Sequence, residues 1–306
     1  MNRGSQSGVA IVTALVVVGI VAVIGVSVAW RQSLWLRQLE SSGDLAQARV
    51  VAKAGTMFAR VVLWDDQRRS TVDHLREGWT TRLPPTPVDG GEITGGIADL
   101  QGLFNLNNIV RDGQLDQGQL AQYRRLLSML WLSAPLADYL VDWMDPDSTP
   151  RGANGAEDAY YLAQVPPYRS ANRPLDTVED LGQVRGYTPD VLRTLGPFVS
   201  VATGFTAINV NTAPPIVLAS MFSGMSLADA QGLAGERDRI YFKDRADFFA
   251  RFPRPDFALG QESIGAISEY FMVDVQARYG RAAVTSRALL HRQPGAWPEI
   301  LWQRFE

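Results

Sequence analysis

The 22 residues from Val9 to Trp30, VAIVTALVVVGIVAVIGVSVAW, carry no charge and only two hydroxyl side chains, Thr13 and Ser27. As a helix rising about 1.5 Å per residue they reach roughly 33 Å, which matches a bilayer's hydrocarbon core of about 30 Å. In lipid a helix is required, because only a helix satisfies every backbone N–H and C=O within the segment. Val and Ile dominate the run and would favour a strand in water. Its length and lack of alternation decide for a membrane helix over 9–30.

The flanks narrow the reading. Upstream stands MNRGSQSG, with one basic side chain at Arg3 and Gly8 at the junction. Downstream, Ala29-Trp30-Arg31-Gln32-Ser33-Leu34-Trp35 offers interfacial aromatics and no signal-peptidase site, which leaves an uncleaved signal anchor open. Arg31 and Arg37 compete with Arg3, so the positive-inside tendency determines orientation only weakly.

Beyond the span, a chain of 306 residues has material for one large or two modest domains with a real core. A net charge of −3 gives no reason to expect nucleic acid or an anionic surface as the main partner. There are no cysteines, which removes disulfides, thiol catalysis and thiolate metal sites.

After Arg31, apolar residues return every three or four positions at Leu39, Ala46, Val50, Ala54, Met57 or Phe58, and Val61, predicting a stalk helix over 31–66. Ser41-Ser42-Gly43-Asp44 is its expected kink or melt. LPPTPVDGG at 83–91 cannot be helical and reads as a linker, with the strand-like run Glu92 to Leu100 behind it.

Two passages then echo each other, Leu103 to Ile109 (LFNLNNI) and Ala207 to Pro214 (AINVNTAP). Each precedes helical text, 115–129 and 136–144 after the first, 215–222 and 227–237 after the second. The asparagines read as strand-closing and helix-capping residues. A second echo joins Val178 to Leu192 and Phe198 to Val201 with Asp247 to Phe252, Ile264 to Tyr270 and Phe271 to Val275, each predicted as helix, turn, helix and short strand. Towards the end, 270–279 and 283–291 alternate on either side of Gly280, predicting a hairpin, and 299–305 can add an edge strand.

The loop after Leu136 to Met144 gathers Asp142, Asp145, Asp147, Glu157 and Asp158 among prolines and glycines. Carboxylates this close repel and raise one another's pKa unless a cation intervenes. Ca²⁺, with six to eight oxygen ligands, suits an Asp-x-Asp start with a later Glu, and Mg²⁺ suits it less; the spacing is not that of an EF-hand. A solvated loop with Asp145 or Ser148 capping a turn is the alternative.

Catalytic signatures are missing: no nucleophile elbow, HExxH or phosphate loop occurs, although Glu157 and Asp145 could be imagined as a hydrolase pair. His74 and His291 stand apart from each other and from these acids, and are expected at the surface. Residues 103–271 hold 14 Lys plus Arg against 20 Asp plus Glu, a local net of −6 that opposes phosphate binding.

A short basic leader ending in Gly8, before an apolar helix that runs on into an amphipathic one, resembles the type IV pilin class of precursors. Most members carry Glu at the fifth mature position, here Thr13; its absence resembles the K-type minor pseudopilins of type II secretion. The run Asn209 to Pro214 (NVNTAP), and W-x-D-x-D at 143–147 followed by G-A-E-D-x-Y-Y at 155–161, are similar to that family's pattern. The repeated units look like its helix-hairpin-helix or SAM-like insert.

The resemblance implies an α+β protein in which a long N-terminal transmembrane and stalk helix packs on an antiparallel pilin-like sheet interrupted by a large all-helical domain. Its parts would be a leader over 1–8, the span over 9–30, the stalk over 31–66, a linker and first strands over 67–102, the insert over 103–270 and returning strands over 271–306. It implies cleavage by prepilin peptidase between Gly8 and Val9, with methylation of Val9. It also implies a structural Ca²⁺ on Asp145, Asp147, Glu157 and Asp158, with Asp142 and Asn172 as second choices. The implied role is non-catalytic: the tip of a pseudopilus that supports export of folded periplasmic proteins across the outer membrane. Other minor pseudopilins, the inner membrane, exported substrates and the outer-membrane secretin are the implied partners, without nucleic acid. The chain would cross the bacterial inner membrane once, with its C-terminal domain in the periplasm. A membrane-tethered periplasmic hydrolase and a DNA-uptake protein are the competing classes.

Overall fold

The computed structural model describes residues 6–152, 155–254, 256–257 and 259–306. The leader reading on residues 1–5, including Arg3, lies outside them. α1 (Gln6–Arg69) is one unbroken helix of 64 residues, and the break expected at Ser41-Ser42-Gly43-Asp44 does not occur. Ser42 donates to the Leu39 carbonyl at 2.9 Å, and the Asp44 carboxylate accepts the Arg281 N–H at 3.0 Å. Tertiary contact therefore holds a stretch that local propensity alone would loosen. Among the described residues this is the one helix long and apolar enough to cross a membrane, and Val9 to Val28 are exposed along it.

From about residue 48 the helix is the spine of an antiparallel sheet. β1 (Leu83–Val88) and β2 (Gly91–Asp99) form its first hairpin, so the stretch read as a linker is a strand. It tolerates Pro84, Pro85 and Pro87 because it lies at the sheet edge, where a missing N–H costs no ladder bond.

The chain then leaves the sheet. It forms β3 (Phe104–Asn105), β4 (Val110–Arg111), β5 (Gln114–Leu115), α2 (Gln117–Met129), α3 (Pro135–Met144), α4 (Asp158–Tyr161), α5 (Pro189–Leu195) and β6 (Val199–Ser200). A second unit follows with β7 (Ile208–Asn209), α6 (Pro215–Ser220), α7 (Leu227–Arg239), α8 (Arg245–Arg251) and β8 (Ile264–Gly265). Sheet is resumed by β9 (Tyr270–Tyr279), β10 (Ala282–His291) and β11 (Glu299–Phe305), giving the order β1-β2-β9-β10-β11.

Ala48, Ala52, Thr56, Ala59 and Leu63 bury one face of α1 against β2, β9 and β10. Small residues there let the backbones approach. At Gly55 an added Cβ would stand 2.7 Å from Ile93 Cδ1 and 2.8 Å from Val275 Cγ1, so any side chain there must displace both.

The insert has its own core, separate from that of the sheet, around Phe104, Tyr123, Leu140, Tyr161, Phe222 and Phe248. Expected to be all-helical, it is helical for the most part among its regular elements but also holds three two-stranded ladders. β3 pairs with β6 and β7 with β8, both parallel, so the two units share a plan. The second unit closes on β8. The expected helix over Ile264 to Tyr270 is not formed, and Phe271 to Val275 belong to β9 of the main sheet.

The asparagines explain the repeat. Asn105 and Asn209 each accept the N–H two residues on, at 3.1 and 2.9 Å. Asn107 clasps both backbone groups of Leu175 (3.0 and 2.9 Å), and Asn211 clasps both of Phe242 (2.8 Å each). Each is a buried amide standing in for a strand partner.

Candidate functional site

Pro135 opens α3 at its first turn, and Asp145 ends it in extended backbone ahead of Pro146, which has no N–H to continue the helix. One turn earlier, buried Asp142 accepts the N–H of Arg151 at 3.1 Å and that of Ala156 at 2.8 Å, folding the loop back onto the helix. The closure demands Gly155, where a Cβ would meet Asp142 Oδ2 at 2.6 Å and the Arg151 nitrogen at 2.5 Å. Glu157 then precedes α4 in extended backbone.

This path brings Asp145, Asp147 and Glu157 together, each offering an oxygen within 4.8 Å of the others. Ligands on opposite sides of a Ca²⁺ at the usual bond length are about 4.8 Å apart, so one ion can reach all three. Asp145 and Glu157 are 8% and 3% exposed, and Asp147 faces solvent. Asp145 Oδ1, Glu157 Oε1 and the neighbouring loop's Asn172 Oδ1 are buried without a hydrogen-bond partner. Burial, then Asp147 and Asp142, push Asp145 up to about 6; burial, then Asp142 and Asp145, push Glu157 up to about 7. Buried acceptors with nothing to accept are costly, and a hard cation removes that cost. The donor set fits Ca²⁺.

The other expected ligands have different work. The Asp158 carboxylate accepts the N–H and hydroxyl of Ser170, both at 3.0 Å, and meets Arg169 at 3.4 Å, outside the acidic trio. It positions the 169–172 segment. Asp142 is occupied by loop amides. Asn172, with φ +47° and its N–H on the Trp143 carbonyl at 2.9 Å, has its side-chain nitrogen 3.5 Å from the Asp147 carbonyl, so it stands beside the trio.

Neither histidine is a surface residue as expected. Half-buried His74 stacks on Tyr241, and half-buried His291 stacks on Tyr270 with Nε2 3.6 Å from Glu269. A second acidic grouping, Asp66, Asp73 and Glu77, has no signal in the sequence reading, because Arg292, which bonds to Asp66 at 2.9 Å, lies 226 residues away. That guanidinium already supplies its positive charge.

Between α1 and the β1–β2 hairpin runs an apolar groove of about 720 Å³, lined by Val50, Ala54, Phe58, Trp79, Leu83 and Ile97. Val50 and Phe58 are 62% and 59% exposed there.

Family models described as type II secretion system (T2SS), protein K, match residues 102–204 and 208–263. These spans follow the two asparagine-clasped units. The type II secretion system protein K of Pseudomonas aeruginosa is 36% identical over 291 residues, covering 92% of this chain and 86% of that protein. That of Klebsiella pneumoniae is 30% identical over 306 residues, with 94% and 93% covered. Among solved structures, the GspK-GspI-GspJ complex of enterotoxigenic Escherichia coli contains a chain similar in fold, with a TM-score of 0.78 at 22% identity, covering 88% of this chain and 99% of that one.

Proposed function

The chain belongs to the type II secretion system protein K family, and from that premise we propose that it is the tip subunit of a secretion pseudopilus. Val9 to Trp30 anchor it in the bacterial inner membrane, and the stalk, sheet and insert occupy the periplasm. One observation carries this reading: the insert leaves the sheet at the end farthest from the span. The β9–β10 turn meets α1 at Asp44, about 21 Å above Trp30, whereas β10 ends beside Asp66, about 54 Å above it. Another subunit stacked on top would meet the insert, so the filament ends here.

Thr13 agrees with that place, since its hydroxyl donates to its own helix, to the carbonyls of Val9 at 3.0 Å and Ala10 at 2.9 Å. A membrane-buried carboxylate would need a cation from a neighbour; this side chain needs none. Other minor pseudopilins dock through their helices along the exposed side of α1. Strand addition is disfavoured, because β1 carries three prolines and both edge strands, β1 and β11, have a register shift. Prepilin peptidase frees Val9 from Gly8 before assembly. Exported substrates and the secretin would meet the insert. Asp145, Asp147 and Glu157, with Asn172 beside them, hold a structural Ca²⁺ that fixes the long loop; no turnover is assigned to them.

Assembled pseudopili carrying a label on the insert test the placement. Label confined to one filament end is the expected image, and label along the length overturns it. Mass spectrometry of the mature chain tests processing: methylated Val9 is expected, and an intact Met1 in cells that process their other pilin-like precursors overturns it.

A further inference from the structure

The insert leaves and re-enters the sheet at one place. Asp99 at the end of β2 pairs with Phe271 near the start of β9, and Leu100 N–H donates to the Tyr270 carbonyl at 3.0 Å. Gln101 Oε1 accepts the N–H groups of Glu269 at 2.6 Å and Tyr270 at 3.3 Å. Two adjacent crossings bonded to each other make a hinge axis. The two large cores are separate, with only a small cluster of Leu100, Ala202, Tyr270 and Leu289 between them.

Rotation is restrained by Arg287 of β10, which meets Glu179 of the insert at 3.3 Å, and by an arm, residues 70–77, together with Arg292. Asp73 N–H donates to the Ala266 carbonyl at 2.9 Å, and its carboxylate accepts Ser268 N–H at 2.7 Å. His74 stacks on Tyr241, and Arg76 caps the end of α7 at the carbonyls of Asp238 (3.3 Å) and Arg239 (3.1 Å). Buried Arg292 donates to both Asp73 oxygens at 2.6 Å, to Asp66 at 2.9 Å and to the Ser268 carbonyl at 2.7 Å, with its guanidinium 4.6 Å from the Phe271 ring centre. One side chain thus ties α1, the arm and the returning end of the insert.

We propose that Arg292 is a latch holding the insert at a fixed angle on the pilin-like body, and that protons tighten it, so that it is firm in mild acid and slack at neutral and alkaline pH. The closed joint has too much negative charge for one guanidinium. Asp66 and Asp73 face it, with Glu77 behind them on the arm. Among the described residues the donors to Asp99 are all neutral: Thr212 at 2.5 Å, Ser268 at 2.7 Å, Asn209 at 3.2 Å and Gln101 N–H at 2.7 Å. Glu77 accepts the His74 N–H and Trp79 Nε1, both at 2.9 Å, and at the rim Glu269 faces His291.

Burial, then Glu77 and Asp73, push Asp66 up to about 6; burial, with Asp73 beside it, does the same to Asp99. An insert swung out takes Thr212 and Asn209 away from Asp99 and admits water to the joint, which lowers Asp99 and Asp66 towards the ordinary carboxylate range near 3.8, while Glu77 and Asp73 stay beside Asp66. Between about pH 4 and 6 the closed joint therefore holds more protons than the open one, so falling pH favours closure and rising pH opposes it. This behaviour is independent of where the subunit sits in a filament.

The lack of native cysteines allows a direct test on the full chain in detergent, with nitroxide labels at Gln231→Cys on the insert and Gln276→Cys on the body, both exposed. At about pH 5.5 a single narrow distance is expected, and at about pH 8 a second, broad component should grow about tenfold. Asp66→Asn, which removes one excess charge and keeps a contact for Arg292, should broaden less than the parent at pH 8, with the second component growing about fourfold through Asp99 alone. Arg292→Gln should be broad at both. Wild-type distances that do not change with pH overturn the proposal, as does Asp66→Asn broadening the distribution as Arg292→Gln does.

Discussion

Asn107 and Asn211 do with side-chain amides what a neighbouring strand would do with its backbone, each satisfying one donor and one acceptor of a distant loop residue. Asn107→Ala leaves the Leu175 N–H and C=O buried and unpaired, which should cost about 2 to 4 kcal/mol, read as a lower midpoint in urea at unchanged slope. Asp→Asn logic is reversed at the acidic trio. There Glu157→Gln removes repulsion, so without metal its melting temperature should equal or exceed the parent's. The parent should gain thermal stability on addition of Ca²⁺ and the variant should lose that gain. Because Glu157 is pushed up to about 7, protons compete with the ion, and Ca²⁺ affinity should weaken as pH falls through that value. A Ca²⁺-induced rise of equal size in both proteins would remove Glu157 from the ligand set.

At the scale of elements, close approach of α1 to the sheet depends on Gly55. Gly55→Leu must displace Ile93 and Val275 or lift the helix, at a cost of about 3 kcal/mol or more, measurable as loss of the cooperative melt of the sheet while the separate core of the insert keeps its helical signal. The sequence made α1, α2, α3, α6, α7 and the β9–β10 hairpin legible through their apolar spacing, and Asp116 before α2 and the Ser226–Asp229 box before α7 add caps that agree with it. It misread three places where tertiary context overrides local text. Prolines of β1 are acceptable only at an edge, the Ser42–Gly43 stretch is held through Asp44, and Ile264 pairs with Ile208 instead of turning into a helix. Of the site, the acidic loop was visible because its carboxylates lie close together in the chain. Asp158 is expected beside the trio from its place in the chain, and the structure adds that it is engaged by Ser170, a tertiary contact no local pattern shows. The Arg292 joint was invisible, since its members come from segments at 66, 73, 99, 209 and 268.

For the whole molecule, the body and the insert are separable in principle because the insert interrupts a pairing that already exists. Asp99 faces Phe271 across β2 and β9, so the two strand ends are in register for a hairpin without the intervening chain. Replacing residues 101–269 by a tight Asn-Gly turn should therefore leave the order β1-β2-β9-β10-β11 intact on α1. The variant loses the partners that Ser268 and Asn209 give to Asp73 and Asp99, but Arg292 still pairs with Asp66 and Asp73, and the newly opened end faces water. Its top would then resemble a plain sheet and helix on which another subunit can stack. If the bulk of the insert stops growth, filaments assembled with this variant should lengthen relative to those with the full chain, as counted by electron microscopy. Unchanged lengths from a variant whose sheet still melts cooperatively would show that termination lies in the helix interface around Thr13 and the span, leaving the insert free for contacts outside the filament.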